Sequence, residues 1–404
     1  MNELFKTKHP LFKEINTKFL KNDLNREKKK FSVGFNDDET KLIVTNNGKP
    51  KEYDVFEKNI GASKPLKYIN VKEGDSVIKF KIIENNQQLS LFKSKNFDRC
   101  IFLENFAPSH INIDFQKIKP SFQYSIFQDG CRMYNTTINN SNFEDCIFFG
   151  WAAFHCSTFK NNDNERFPYI TFSRSVFLDH ADFMNTKFEY DALFTDCIFK
   201  KAGFESAKFK EYTSFENSKF IKSLILSNST INEMILTNTD IKLLCLYNSI
   251  IKGFVNCENV NIEKVKNHKT FTKLKENCIK KNDNISALYF HTKEMEHYQS
   301  ELTWKDDFIE NFILSFEKIL SHYGTNPFLP MLWLLGIHCV DLIIRVLFSD
   351  SYDKLKQQEF SIYSLNIIEN YFSLLGIWIL SKIILSSILI YEIIKSFRKF
   401  SRKL

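Results

Sequence analysis

The residues best suited to bind a metal ion lie in one segment of helical periodicity near the C-terminus. His291, Glu294 and His297 fall within ISALYFHTKEMEHYQSEL, and imidazole and carboxylate groups bind metal ions when they meet on one face. The two histidines are separated by six positions, which on a helix rotates one from the other by about 240°. They do not share a face, so we predict a surface or capping role and no metal site.

A second group of polar residues lies inside two long apolar segments. His338, Asp341 and Arg345 recur at i, i+3 and i+7, a spacing that places them on one helical stripe. If the two segments pack as an antiparallel hairpin, Lys382 reaches the depth of Asp341. We therefore hypothesise an ion pair between Asp341 and Lys382, within one chain or between two. It serves either packing and register or a polar pathway for ions or protons.

Motifs of known enzymes are absent from the sequence. It contains no nucleophile elbow, phosphate-binding loop, dinucleotide fingerprint, HExxH or paired-carboxylate constellation. The nine cysteines form no CxxC pair, so neither a disulfide framework nor a zinc site is indicated, and a reducing compartment fits best. We predict no catalytic residue and no cofactor, and we expect a non-enzymatic protein.

The elements that position these residues begin with a repeat. The chain has 42 phenylalanines but only 11 glycines, and from Phe127 to Ile251 large apolar residues recur at steps of five or six, in 23 repeats with one interruption. The residue two before each central residue is Ala, Ser, Thr or Cys in 20 of the 23. A period near five fits neither a helix nor a flat strand, so the chain must turn a corner at each repeat.

Units such as SNFED, ADFMN and AGFES resemble those of the bacterial pentapeptide-repeat family. The resemblance implies a mainly β fold, a right-handed quadrilateral β-helix with four repeats per coil, in which the central residue and its small neighbour point inward. The 23 repeats then give about six coils, stacked at about 4.8 Å. The predicted repeat core is Phe143, Phe148, Phe154, Phe159, Phe172, Phe177, Phe183, Phe188, Phe194, Phe199, Phe204, Phe209, Phe215 and Phe220.

An insertion interrupts the repeat between Phe159 and Phe172. Inserted residues must leave the tube as a surface loop, and loops on rigid solenoids are suited to partner contact. The candidate contact residues are Asn161, Asn162, Asp163, Glu165, Arg166 and Phe167.

Four regions follow from these patterns. Residues 1–90 are predicted to form an N-terminal helix and a small β-rich cap, since short alternating runs with turn signals occupy 31–90. Residues 91–267 form the repeat β-helix, and 268–325 a helical cap and neck. Residues 326–404 form a two-helix transmembrane hairpin with a basic tail.

The hairpin prediction rests on the apolar segments 328–348 and 372–394, each long enough to cross a bilayer core of about 30 Å. ALYFHTKEM and SHYGTNPFLPMLWLL resemble the linker and membrane entry of membrane-attached members of the family. Positive residues cluster after the second segment, which places the solenoid and both termini in the cytoplasm, at the bacterial inner membrane.

Three functions are compatible with this organisation. The first is a membrane-anchored, non-enzymatic scaffold that binds an unidentified protein partner through the sides of the solenoid and the insertion. The second is an oligomeric two-helix membrane pore or effector with a cytoplasmic sensing solenoid; without a TVGYG-like filter it would not be potassium-selective. The third is suggested by family members that mimic DNA and modulate topoisomerases. Residues 131–260 carry 13 basic and 15 acidic residues, too little net negative charge for DNA mimicry, and no nucleic-acid partner is expected.

Overall fold

A computed structural model of the 404-residue chain describes residues 4–16, 31–58, 65–91, 96–107, 120–139, 141–160, 169–347 and 374–401. The chain divides into two compact units, Met1–Lys273 and Leu274–Leu404. The first unit is almost entirely β structure and the second is helical, and each is described by itself.

The first unit begins with a β-hairpin. Strands β1 (Leu4–Lys6) and β2 (Glu14–Asn16) pair antiparallel, so the predicted N-terminal helix is wrong for these residues. The chain reverses at His9 and Pro10, where the Phe12 amide donates to the His9 carbonyl at 3.1 Å, and proline is unfavourable within a helix. Phe12 and Ile15 are buried in the core that underlies the cap.

The described residues 32–58 and 65–91 form the β-rich cap. Its elements are β3 (Ser32–Phe35), β4 (Lys41–Asn46), β5 (Lys49–Lys58), β6 (Leu66–Glu73), β7 (Ser76–Ile83) and a 3-10 helix (Asn86–Leu91). Strands β3 to β7 form an antiparallel meander. Strand β7 then pairs in parallel with the first strand of the repeat region, so the cap extends one face of the solenoid.

The repeat region is a β-solenoid of about eight turns. Its strands are β8 (Cys100–Phe102), β9 (Ile126–Phe127), β10 (Cys131–Arg132), β11 (Thr137–Asn139), β12 (Ile147–Phe148), β13 (Ala152–Ala153), β14 (Thr158–Lys160), β15 (Tyr169–Thr171), β16 (Val176–Asp182), β17 (Lys187–Phe188), β18 (Asp191–Leu193), β19 (Ile198–Gly203), β20 (Lys208–Ser214), β21 (Lys219–Ile225), β22 (Thr230–Ile235), β23 (Asp240–Cys245), β24 (Ile250–Ile251), β25 (Val255–Asn256) and β26 (Asn261–Val265). All pairs among them are parallel. The square section and the right-handed sense remain predictions.

Stacked phenylalanine rings fill the interior. Phe148 stacks on Phe177 with centroids 4.6 Å apart and planes 2° apart, whereas rings facing each other across the tube meet edge to face, as Phe143 and Phe154 do at 78°. Both geometries are favourable for aromatic pairs. All fourteen predicted core phenylalanines are at most 3% exposed.

The coil count and one register differ from the prediction. The count of six coils started at Phe127, whereas the solenoid runs from β8 through β26 and has about eight turns. Strand β21 contains a register shift between Phe220 and Leu224, which is the mark of a β-bulge. Because of this extra residue, Leu226 and not Ile225 is the buried central residue of its repeat.

The small inward residues link successive coils. The Ser175 hydroxyl donates to the Phe143 carbonyl at 2.6 Å and accepts from the Cys146 amide at 2.9 Å, and Ser218 makes the equivalent pair of bonds further along. Buried polar groups need such partners. The small residue therefore satisfies backbone groups in addition to leaving room for the rings.

The helical elements are α1 (Lys269–Lys280), which crosses the boundary between the units, then α2 (Asn284–Glu301), α3 (Phe308–Ser321), α4 (Phe328–Leu347) and α5 (Leu374–Ser401). In the second turn of α1, the Lys273 ammonium donates to the carbonyls of Leu246 and Ser249. These bonds satisfy backbone acceptors at the end of the solenoid.

Helices α4 and α5 lie where apolar helices were predicted. Judged on the residues described here, however, none of the helices combines the length and apolar content needed to cross a bilayer. Asp341 interrupts the apolar run of α4 and Lys382 that of α5. The two crossings predicted at 328–348 and 372–394 are therefore not supported.

Candidate interaction surfaces

Three exposed side chains and the half-buried ring of His155 form a patch at one corner of the solenoid, which we call the aromatic corner: Tyr134, Trp151, His155 and Met184. Tyr134 and His155 follow equivalent core residues in successive coils, and their rings stack with centroids 5.1 Å apart. The Trp151 ring lies 6.0 Å from His155. The exposed fractions are 46% for Tyr134, 42% for Trp151 and 41% for Met184.

The repeat dictates this arrangement. The Asn135 amide donates to the His155 carbonyl, and the Cys156 amide donates to the Met184 carbonyl. These bonds between coils hold Tyr134, His155 and Met184 in register. The His155 Nδ1 atom lies 3.4 Å from the Asp182 carboxylate.

Two glycines allow the backbone to bring Trp151 to this corner. A Cβ atom on Gly130 would lie 2.4 Å from the Trp151 carbonyl oxygen, and a Cβ atom on Gly150 would lie 2.4 Å from the Asp129 carbonyl oxygen. Gly130 also has a φ of +112°, which side chains disfavour. Only glycine fits at these two positions without moving the neighbouring coil.

An ion cluster built around the buried Asp145 lies at a different corner. Arg174 donates to both carboxylate oxygens of Asp145, at 3.0 and 2.9 Å, and to Glu144 at 2.9 Å. Burial raises the pKa of Asp145, and the Arg174 guanidinium opposes that rise. The three charges satisfy one another between coils, so the cluster is explained by folding.

A groove on another side of the solenoid is lined by residues from β17, β20 and β22. Lys187, Lys208 and Lys252 lie near Glu189 and Glu211, and Lys210 pairs with Glu189. Its charge is mixed, and no site for an anion follows from it.

The solenoid cysteines carry no nucleophilic chemistry where they are buried. Cys100, Cys131, Cys146 and Cys197 are fully buried, and burial raises the pKa of Cys100 to about 12. A thiol with such a pKa stays protonated at neutral pH, whereas the reactive form is the thiolate.

Of the three residues first considered for metal binding, two are neighbours in the structure, and the third contacts a different carboxylate. His291 Nδ1 lies 3.9 Å from Glu294, which itself pairs with Lys275, and His297 Nδ1 lies 3.5 Å from Glu301. Across the described ranges, no group of three or more His, Cys, Asp or Glu side chains is placed to hold a metal ion.

The structure brings Asp341 and Lys382 together within one chain. Lys382 Nζ lies 2.7 Å from Asp341 Oδ2, and the Trp378 indole donates to Asp341 Oδ1 at 3.3 Å. Asp341 is buried, whereas His338 is exposed on α4. The side chain of Arg345 lies outside the described residues, as do the insertion candidates at 161–167. What the pair contributes stays a prediction.

The aromatic corner was not predicted from the sequence. The signal was available, because Tyr134, Trp151 and Met184 occupy outward positions of a repeat whose other outward residues are mostly polar. Comparison with models of known protein families gives no match, and comparison with curated proteins gives no significant match. The likeness to pentapeptide repeats therefore remains a resemblance of motif.

Proposed function

We propose that the protein is a non-enzymatic scaffold, anchored to a membrane, whose solenoid binds another protein through the aromatic corner. The observation that carries the proposal is the register of Tyr134, Trp151, His155 and Met184 on the outer surface. Tryptophan, tyrosine and methionine are enriched in protein interfaces, and a few such anchors dominate binding energy.

The interior of the solenoid supports a binding role over a catalytic one. Its described side chains are occupied by ring stacking and by hydrogen bonds between coils. Solenoids of this kind present their outer surfaces to partners, and the aromatic corner is rigid because Tyr134, His155 and Met184 each follow a buried repeat residue.

Membrane anchoring is supported by the helical unit. Large apolar side chains are exposed along α3, α4 and α5, among them Ile309, Leu332 and Val346, each at least 67% exposed. Exposed apolar surface of this extent marks contact with a membrane or another protein. Attachment at the bacterial inner membrane with the solenoid in the cytoplasm stays a prediction, and attachment does not require either helix to cross the bilayer.

The proposal is tested by site-specific photocrosslinking in cells. A photoreactive amino acid at position 151 is expected to give a discrete adduct with one other protein. Tyr247 is the control, because it is 50% exposed and occupies, in a later coil, the position equivalent to Tyr134. Equal adducts at both positions, or none at 151, would rule out the aromatic corner as the contact surface.

No described feature favours the two alternatives. Asp341 and Lys382 are paired within one chain, so this pair does not call for the oligomeric pore. The near-neutral charge of residues 131–260 likewise gives no support to DNA mimicry.

A further inference from the structure

Helix α3 exposes most of its large apolar residues, although Leu314 and Leu320 are buried. Phe308, Ile309, Phe312, Ile313 and Ile319 are between 56% and 73% exposed, whereas Asn311 is 2% exposed and Ser321 is fully buried. This is the reverse of a helix packed on a protein core in water.

The inward side of α3 is occupied by contacts within the helical unit. Ser315 accepts a hydrogen bond from Gln299 at 2.8 Å, and Ser321 donates to Glu392 at 2.7 Å. Glu317 pairs with Lys395. These contacts fix which side of the helix faces outward, so its apolar residues cannot turn inward without breaking them.

An aromatic row follows the outward side. Successive rings of Trp304, Phe308, Phe312 and Phe316 are 6.1, 6.4 and 6.2 Å apart. At 3.6 residues per turn, the exposed apolar residues of α3 occupy an arc of about 140°. Its 14 residues span only about 21 Å, which is shorter than the bilayer core of about 30 Å, so the helix would lie along a bilayer surface and not across it.

The neighbouring helix α4 distinguishes lipid from a second copy as the occupant. Its exposed apolar residues cover an arc of about 200° around the helix axis. Met331 lies at one edge of this arc, Phe328 inside it and Trp333 at the other edge. A closed dimer buries one patch on each subunit, whereas acyl chains surround an apolar helix.

Charge at the end of α5 completes the argument. Helices α3 and α5 pack antiparallel, because Ser321 contacts Glu392 whereas the earlier Glu317 contacts the later Lys395. Residues of α5 beyond Lys395 therefore lie beside the earlier turns of α3. Arg398 and Lys399 lie in this last part of α5, and the sequence continues with Arg402 and Lys403. Basic clusters beside an apolar membrane segment attract anionic headgroups.

We propose that α3 is an interfacial membrane helix, with its aromatic row among the glycerol and upper acyl regions and the basic end of α5 among anionic phospholipid headgroups. The proposal rests on the membrane anchoring proposed above and names the lipid class and the helix that meets it.

The test places an environment-sensitive fluorophore on one cysteine of the full chain, after the two exposed cysteines are changed by Cys156→Ser and Cys339→Ser. Phe312→Cys labels the aromatic row. Ile285→Cys, on α2 and 79% exposed, is the matched control. Each protein is reconstituted into vesicles of phosphatidylcholine alone or with a quarter phosphatidylglycerol.

We expect blue-shifted emission at position 312 and quenching by shallow spin-labelled lipid at least about threefold stronger than at 285. In partition measurements, each charge removed by Lys399→Gln, Arg402→Gln or Lys403→Gln should lower binding to the anionic vesicles about fivefold.

Three outcomes overturn the proposal. If the protein binds vesicles but position 312 stays aqueous, only the interfacial role of α3 fails. If the protein does not bind vesicles at all, the membrane anchoring fails as well. If position 312 is shielded without lipid and the protein sediments as a dimer, a second copy covers the aromatic row.

Discussion

At the scale of single residues, the small inward residue of each repeat differs in its hydrogen bonding as well as in its size. Packing predicts that Ala, Ser, Thr and Cys should be interchangeable there, because each leaves room for the rings. In the structure Ser175 bonds to two backbone groups of the preceding coil, whereas Ala202 fills its position by packing alone. The sequence pattern could not separate the two roles, because both use small residues.

Ser175→Ala should lower the free energy of unfolding by about 1–3 kcal/mol, because it leaves the Phe143 carbonyl and the Cys146 amide buried without their partner. Urea unfolding of the full chain in detergent, followed by circular dichroism, measures the change. Thr230→Ala is the control, since Thr230 is only half-buried on the outer side of β22, and it should change stability by less than about 0.5 kcal/mol. Equal effects of the two variants would contradict the bridging role.

His9 makes the stability of the first unit depend on pH. It is fully buried, its Nε2 donates to the Tyr124 carbonyl at 3.1 Å, and its Nδ1 accepts from the Leu11 amide at 3.2 Å. Burial lowers the pKa of His9 to about 3. A depressed pKa means that the neutral ring stabilises the fold fully above pH 6.5, and that this contribution is lost as pH falls toward 3.

We therefore expect the free energy of unfolding to decrease by up to about 1.4 kcal/mol per pH unit through this window on account of His9. His9→Gln, which cannot take up a proton, should flatten that part of the profile. Urea titrations of both proteins between pH 4 and pH 7.5 provide the measurement. Parallel profiles over the whole range would exclude His9 as the titrating group.

At the scale of elements, the corners of the solenoid were the least predictable part. In every second repeat the residue two after the central position has a φ near +55°, and it is asparagine at Asn217, Asn228, Asn238, Asn248 and Asn259. Asparagine tolerates this conformation better than other side chains. In earlier coils Arg174 and Tyr124 occupy the same position, so residue type alone does not identify the corner.

The glycine pair beside the aromatic corner allows a test of coil spacing. Gly150→Ala places a Cβ 2.4 Å from the Asp129 carbonyl, and moving the backbone to relieve the overlap should cost about 1–3 kcal/mol. Gly34→Ala, where nothing lies within 4 Å, is the matched control. Differential scanning fluorimetry should give a lower melting temperature for Gly150→Ala alone, and similar values for both variants would indicate that the coils separate freely here.

The ion pair between α4 and α5 stabilises the packing of these helices only when both of its charged side chains are present. Asp341 and Lys382 side chains are 5% and 17% exposed, and removing one partner leaves a buried charge, which costs about 3–5 kcal/mol. Asp341→Leu and Lys382→Leu should each destabilise the hairpin, and the double variant should be more stable than the sum of the two losses predicts. Thermal unfolding in detergent, followed at 222 nm, measures the cycle. Additive losses would mean that the two side chains act independently.

At the scale of the whole molecule, the period of the phenylalanines predicted the solenoid, and all fourteen named core positions are buried. The prediction was wrong in the N-terminal hairpin, where Pro10 and the buried ring of Phe12 favour a turn over a helix. It began the solenoid at residue 91 but counted coils only from Phe127, because the weak periodicity around Phe97, Phe102 and Phe106 lacks regular small partners. The bulge in β21 could not be predicted, because Ile225 and Leu226 are equally apolar. Only the register of β21 against β23 decides which of the two is the buried central residue of the repeat.

A solenoid transmits a local defect mainly to neighbouring coils, because each coil contacts only the ones on either side. Phe183 stacks on Phe154 and Phe204, with centroids 5.1 and 4.8 Å away, and Phe183→Ala should cost about 3–5 kcal/mol. Hydrogen exchange measured by mass spectrometry should therefore accelerate in peptides covering residues 152–160 and 198–209 and remain unchanged in the cap strands β3 to β5. Met184→Ala, one residue away but on the exposed surface, should leave exchange in all of these peptides unaltered. Uniform acceleration along the whole unit would mean that the coils and cap open as a single cooperative block, and the nearest-neighbour description would then be wrong.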